Sequence, residues 1–377
     1  MFYFDFLTYF KLLYLIFTRE PFSLKRGFFL FSIFLFHTLI GLLAFICMLL
    51  DHIFFPSFRS IEVKTPIFVI GNGRSGTTHM HRLLSGDKKQ VSFFKTYELM
   101  LPAILQKKFV RAVAYVDREF FSGRIEKWFK NKQDSSLQTV SKMHKWDADG
   151  AEEDDMLMML NFSSVSLTFP FPYMKELKYL FETDKRPVAT RRRIMSYYKA
   201  AIKRQLFING SSYIHVCKSP QFTLKIHTLR EAFPDAKFIY MIRHPYESIP
   251  SIVNLMSWYW KNAGAPVDVI NDSSKRLADL QLRQYQYGIK AMDELPKKDI
   301  YIVLFPRLVE SPKTLLKQIY NRFNFSISSE YDAFLDLEEE RAKSFTSHHE
   351  YDQPSIDEKA HILREVGYLF ERFDWER

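Results

Sequence analysis

Thiols are scarce in this chain: Cys47 and Cys217 are the two cysteines among 377 residues. Cys47 falls inside an apolar segment, so one cysteine remains elsewhere and no disulfide forms within that part, which is compatible with a reducing compartment. Neither has a partner at metal-ligand spacing, and no metal is expected. Zinc-finger, RRM-like and basic-zipper patterns are missing, which rejects nucleic acid as the main partner. The net charge of +10 suits an anionic small molecule or an anionic membrane surface. Internal repeats and low-complexity linkers are also missing.

Charge is missing from one long stretch. Gly27–Leu50 is a run of 24 residues without Asp, Glu, Lys or Arg. At about 1.5 Å per residue it reaches roughly 36 Å, enough to cross a hydrocarbon core of roughly 30 Å. It is too long for a signal-peptide apolar region and no small-residue cleavage site follows it. Residues 2–18 are apolar and aromatic, broken by Asp5 and Lys11, and read as an interfacial helix or a short second span. Residues 1–60 are therefore expected to form a membrane-anchor region, single-pass or monotopic, with a catalytic domain at 61–377. Lys11, Arg19, Lys25 and Arg26 before the run outweigh Arg59 and Lys64 after it, placing the N-terminus inside. Insertion of residues 2–18 reverses the side of the domain. Sequons at Asn161, Asn209, Asn271 and Asn324 favour a lumen and the few cysteines oppose it, so the side stays open.

What is present begins at Pro66. The apolar run Ile67-Phe68-Val69-Ile70 enters the turn Gly71-Asn72-Gly73-Arg74-Ser75-Gly76-Thr77-Thr78, which opens directly into a helical pattern. Glycines let a backbone approach an anion, and a helix N-terminus presents free N–H groups to it. Gly71 and Gly76 have the Walker A spacing, but Thr77 stands where that motif has lysine, which disfavours an ordinary nucleotide kinase or NTPase. A second strand-like run, Lys237–Ile242, ends in Arg243, with Ser251 eight residues on. Ligands bind at the carboxyl ends of strands in open α/β sheets, so the two segments suggest two phosphate sites on one nucleotide.

These segments resemble the sulfotransferases that use 3′-phosphoadenylyl sulfate (PAPS), of the bacterial type and related to the tyrosylprotein sulfotransferases. The resemblance runs from about Pro66 to Pro312. It implies that Arg74, Ser75, Gly76, Thr77 and Thr78 hold the 5′-phosphosulfate, and that Arg243 and Ser251 hold the 3′-phosphate. Cys217-Lys218-Ser219-Pro220 looks like the family's K-x-P segment. Lys218 and Arg74 are then the cations around the sulfuryl group and Glu98, in Tyr97-Glu98, the general base, with His144 as the alternative. Asn72-Gly73 departs from the family's Pro before the Arg, which should change loop stiffness more than chemistry. PAPS and its product, a hydroxyl-bearing or amine acceptor and membrane lipid are the implied partners. The acceptor is unspecified: glycan, lipid or small metabolite.

Strand-like runs at 67–70, 213–217, 237–242 and 300–304 alternate with longer amphipathic segments. That rhythm predicts an α/β fold, a P-loop-like parallel sheet with helices on both faces, with a mostly helical acceptor-side insertion at about 88–205. Glu152-Glu153-Asp154-Asp155 reads as an acidic helix start, and the resemblance implies a minor acceptor-side role for it. Arg191-Arg192-Arg193 reads as a solvated face. Ser344–Tyr351, with Ser347, His348 and His349, loosely matches the family's donor-closing loop, and Asp357–Phe373 reads as a C-terminal helix. The rival readings are a P-loop kinase or NTPase and a non-catalytic membrane-bound nucleotide-binding scaffold.

Overall fold

The computed structural model describes residues 3–19, 24–124, 127, 152–344 and 353–376. Two N-terminal helices, α1 (Phe6–Thr18) and α2 (Leu24–Phe54), precede the first strand. Then follow β1 (Ile67–Gly71), α3 (Thr77–Ser85), β2 (Val91–Ser92), α4 (Thr96–Met100) and α5 (Ile104–Phe121). After 3-10 turns at Asp154–Asn161 and Val165–Thr168 come α6 (Lys178–Phe181), α7 (Val188–Asn209) and β3 (Ile214–Lys218). The chain continues through α8 (Ile226–Ala232), β4 (Lys237–Ile242), α9 (Pro245–Asn262) and α10 (Val267–Glu294). It closes with β5 (Ile300–Leu304), α11 (Phe305–Glu310), α12 (Pro312–Phe323), α13 (Ser329–Ser344) and α14 (Ile356–Phe373).

The strands form one parallel sheet in the order β2-β3-β1-β4-β5. Their apolar runs have no polar alternation because helices cover both faces. Alternate residues serve the two sides. Phe68, Ile70, Phe238 and Tyr240 join a core with α7 and α10. Ile67, Val69, Ile239 and Met241 pack against α3 and α12. The four strand-like runs of the sequence are the strands β1, β3, β4 and β5. The edge strand β2 is two residues long and carries no readable period. Among the described residues it interrupts a mostly helical and 3-10 stretch where the insertion at 88–205 was expected.

The apolar run is helical over a wider span than its composition marks, and it does not stand apart from the domain. Arg26, Leu30, Phe34, Ala44, Met48 and Asp51 of α2 are buried. Gly41 passes so close to the Leu160 carbonyl that a Cβ there would sit 2.4 Å from its oxygen. At one end Arg26 Nη1 donates to the Ala263 carbonyl at 2.5 Å. At the other, the buried pair Arg204–Asp51 closes at 2.7 Å, and Asp51 also accepts the first N–H groups of α5, from Ile104 and Leu105. Helix α1 is tied down too: Asp5 caps it through Thr8 N and pairs with Arg186 at 2.8 Å.

Candidate functional site

Three neighbouring strands release the candidate residues at their carboxyl ends: β1 into the glycine turn, β3 at Lys218 and β4 at Arg243. The crevice between such ends is where parallel α/β sheets bind ligands. At the end of β1, Gly71 has φ 141° and a Cβ would lie 2.1 Å from the Met241 carbonyl oxygen, so only glycine fits. Thr223 sutures this end, its Oγ1 accepting Gly71 N–H at 2.9 Å and donating to the Gly71 carbonyl at 2.8 Å.

The turn is held from α10. Asn72 Nδ2 donates to the Gln281 carbonyl at 2.8 Å and to its Oε1 at 3.1 Å, and Gly73 N–H reaches the same Oε1 at 3.3 Å. This departure from proline thus replaces a stiff ring by a side-chain clamp. Arg74 has φ 66°, a left-handed conformation that costs a non-glycine residue strain and concentrates at functional loops. Gly76, with φ 86°, abuts Phe305, 2.7 Å from the position of a Cβ. Beyond it the first N–H groups of α3, from Thr77 and Thr78, lack intrahelical partners. Ser75 Oγ is buried and has no hydrogen-bond partner in ordinary geometry among the described residues.

The second segment meets this turn. Arg74 Nε donates to Ser251 Oγ at 3.1 Å, and Arg243 Nη1 donates to the Arg74 carbonyl at 3.3 Å. Arg243 also pairs with Glu247 at 2.6 Å and lies 4.2 Å over the Phe305 ring. Its carbonyl is held by the Tyr285 hydroxyl at 2.6 Å, which also bonds Ser248. Arg74, Arg243 and Ser251, separated by up to 177 residues, therefore share one cluster.

Lys218 is wholly buried, and its Nζ donates to Glu153 Oε1 at 3.1 Å. Val69 of β1 is its strand partner, and Glu153 bridges to it along the backbone. The acidic run is laid across β3 and its exit: Asp154 takes His215 Nε2 and the Tyr198 hydroxyl, and Asp155 takes Lys225 at 2.7 Å. Burial, helped by the Glu153 charge, raises the Glu152 carboxyl above its ordinary value, with Lys218 pulling the other way. Burial and Lys218 together push the His81 ring down to about 3, so it is neutral at physiological pH.

Glu98, the base that the resemblance implies, sits in the first turn of α4. It is buried, and its Oε2 accepts Lys95 N–H at 2.9 Å and Gln205 Nε2 at 2.8 Å. Gln205 in turn takes the ammonium of Lys107, which burial lowers to about 8 against the opposing charge of Glu98. The carboxylate is thus committed to a helix cap and a buried amide. His144 lies outside the described residues, as do Ser347, His348 and His349. The acidic run was legible as a helix start with a minor acceptor-side role; its pairing with β3 spans 65 residues for Glu153 and leaves no local sequence signal.

A profile of the sulfotransferase family matches residues 66–329. The omega-hydroxy-beta-dihydromenaquinone-9 sulfotransferase Stf3 of Mycobacterium tuberculosis is 21% identical over 327 residues, covering 85% of this chain and 77% of that protein, and the same protein of Mycobacterium bovis matches equally. Among solved structures, the sulfotransferase STF9 of Mycobacterium avium superposes with a TM-score of 0.66 at 17% identity, covering 87% of this chain and 82% of that one. Sulfotransferase STF1 of Mycobacterium tuberculosis gives 0.61 at 17%, covering 97% and 91%. These two likenesses establish the shared fold.

Proposed function

This chain belongs to the sulfotransferase family and is an enzyme of sulfuryl transfer; from that premise we propose that its donor is PAPS and its acceptor the hydroxyl of an apolar molecule. Arg74, Ser75, Gly76, Thr77 and Thr78 grip the 5′-phosphosulfate, and Arg243 with Ser251 grips the 3′-phosphate. The observation that carries this reading is the joining of the two segments, Arg74 Nε to Ser251 Oγ at 3.1 Å and Arg243 Nη1 to the Arg74 carbonyl at 3.3 Å. Two cationic segments so close fit a ligand with a phosphate at each end of one ribose.

In-line sulfuryl transfer needs the substrates aligned, the charge on the leaving and equatorial oxygens neutralised, and the acceptor proton removed. Lys218 and Arg74 supply the cations. When Lys218 turns toward the sulfuryl oxygens its pair with Glu153 loosens. We assign the proton to Glu152, whose raised carboxyl suits a general base, rather than to Glu98, whose Oε2 already accepts two hydrogen bonds. Glu153 positions Lys218. The apolar character of the acceptor is supported by α2, which packs on the turn directly after the acidic run, and by the relative named for a hydroxylated menaquinone.

Isothermal titration of the full chain with adenosine 3′,5′-bisphosphate tests the donor. Binding is expected, and Arg243→Ala should weaken it about ten- to a hundredfold, the equivalent of a lost charged hydrogen bond of about 1.5–3 kcal/mol. Adenosine 5′-phosphosulfate, which lacks the 3′-phosphate, should be insensitive to that substitution. Equal loss for both ligands removes Arg243 from the 3′-phosphate site, and no binding of the bisphosphate overturns the donor.

A further inference from the structure

We propose that α1, α2 and α5 form a single face that docks in the plane of one leaflet of an anionic bilayer, so that α2 lies along the membrane rather than crossing it. The inference is independent of the donor assignment.

Helix α2 is bound to the body over its whole length. Its 31 residues extend about 46 Å. The buried stripe of Arg26, Leu30, Phe34, Ala44, Met48 and Asp51 runs from end to end. Arg26 ties one end to Ala263 and Asp51 the other to Arg204. Crossing a core of roughly 30 Å in this arrangement carries the adjoining body, with its ionic pairs and loops, into hydrocarbon. Irregular backbone and charges there are costly. Lying flat, the same helix keeps its polar ties on the aqueous side.

The opposite side of α2 is exposed and apolar, with Phe28, Phe36, Leu39, Leu42 and Ile53 outward. Helix α1 extends it: Leu12, Leu15 and Ile16 are buried while Phe6, Phe10 and Phe17 face out, and the Phe17 and Phe31 rings meet at 6.2 Å. Helix α5 is the unforeseen part. Phe109, Val113, Val116 and Phe120, at steps of four, three and four, form one outward stripe, with Phe109 70% and Phe120 75% exposed. Its buried side includes Lys107 and Asp117, so its polarity is reversed from that of an ordinary surface helix. It is continuous with α2, because Asp51 caps its first turn and Lys108 lies 5.1 Å over Phe55.

Charge selects the occupant. Lys108, Arg111, Arg118 and Arg124 of this region are exposed, against Glu119 as its one exposed acid among the described residues. On α1 and α2 the described acids, Asp5 and Asp51, are buried in ion pairs, while Arg19 and Lys25 are exposed. An apolar face fringed by cations fits a leaflet with anionic headgroups.

Topology and vesicle binding test this on the full chain. With Cys47→Ser as background, Lys25→Cys in the first turn of α2 and Ser57→Cys just beyond its last residue mark its two ends. In sealed vesicles of host membrane both should react with an impermeant maleimide from the same side; reaction from opposite sides overturns in-plane docking. Phe109→Asp with Phe120→Asp should lower affinity for equal-part phosphatidylcholine and phosphatidylglycerol vesicles about a hundredfold, with an unchanged thermal midpoint as the check on folding. Arg118→Glu with Arg124→Glu should weaken binding to those vesicles and not to pure phosphatidylcholine. Vesicle affinity unchanged in both variants, or a dimer lost with vesicle binding retained, overturns the part played by α5.

Discussion

At the scale of single residues, the acid–base assignment is the sharpest point of difference between motif and geometry. Arg74 in its glycine turn, and Arg243 with Ser251 eight residues on, each stand in a local pattern whose residue types suit anions, although the two patterns lie 169 residues apart. Glu98 was legible only through likeness to a family pattern, and its carboxylate is taken by Lys95 N–H and Gln205. Glu152 was hidden because its meaning depends on Lys218, which lies 65 residues beyond the adjoining Glu153 and is bridged to it. Its raised carboxyl gives a signed expectation. The ionised form must accept the proton, so kcat/KM should fall as pH drops through a value above the ordinary carboxylate range. A raised folded-state pKa also means the folded chain holds this proton more tightly than the unfolded chain, so this group's contribution to stability is present at low pH and is lost as pH rises through the folded value. Glu152→Gln should therefore leave the protein at least as stable at neutral pH, lower kcat about a hundredfold or more and keep bisphosphate affinity. Glu98→Gln is the contrast. A loss of kcat there with unchanged stability, and none at Glu152, moves the base back to Glu98.

At the scale of elements, the strands were readable as apolar runs and the glycine turn as punctuation between strand and helix. What the sequence could not display was how the turn is held. Proline would stiffen it through the chain itself, whereas here Gln281, some 209 residues away, clamps Asn72 and Gly73. A clamp by side chain is separable from the fold. Gln281→Ala removes the bonds to Asn72 Nδ2 and Gly73 N–H made by Oε1, each contributing about 0.5–1.5 kcal/mol, while Asn72 keeps the Gln281 carbonyl. Bisphosphate affinity should fall about five- to tenfold, with a thermal midpoint within a few degrees of the parent. Calorimetry and a melting curve on the same sample decide it. An unchanged affinity means the turn holds its shape through Gly71, Thr223 and the strained Arg74 alone.

At the scale of the whole molecule, composition marked residues 1–60 as something apart, because a charge-free run of that length satisfies the membrane criterion by itself. Composition cannot say which side of a helix is already taken. The two residues that reveal the attachment, Arg26 and Asp51, border the apolar run and read in sequence as ordinary flanking charges. In the fold each is buried and bonded to the body. Asp51 has the larger part: it neutralises Arg204, caps α5 and so joins α2, α5 and α7 at one point. Arg204 also donates to the Met48 carbonyl at 2.9 Å and lies 4.1 Å over Phe58. Removing one member of such a buried pair strands the other charge and costs about 3–5 kcal/mol. Arg204→Met keeps the side-chain volume and leaves the caps on α5, so the loss it reports is that of the ionic joint. At roughly 2 °C per kcal/mol for a chain of this size, the thermal midpoint in mild detergent should drop about 6–10 °C. A hinged anchor, loosely strung from a separate domain, predicts no change in that midpoint. The size of the drop therefore measures whether the apolar helix is part of the enzyme's fold or an attachment to it.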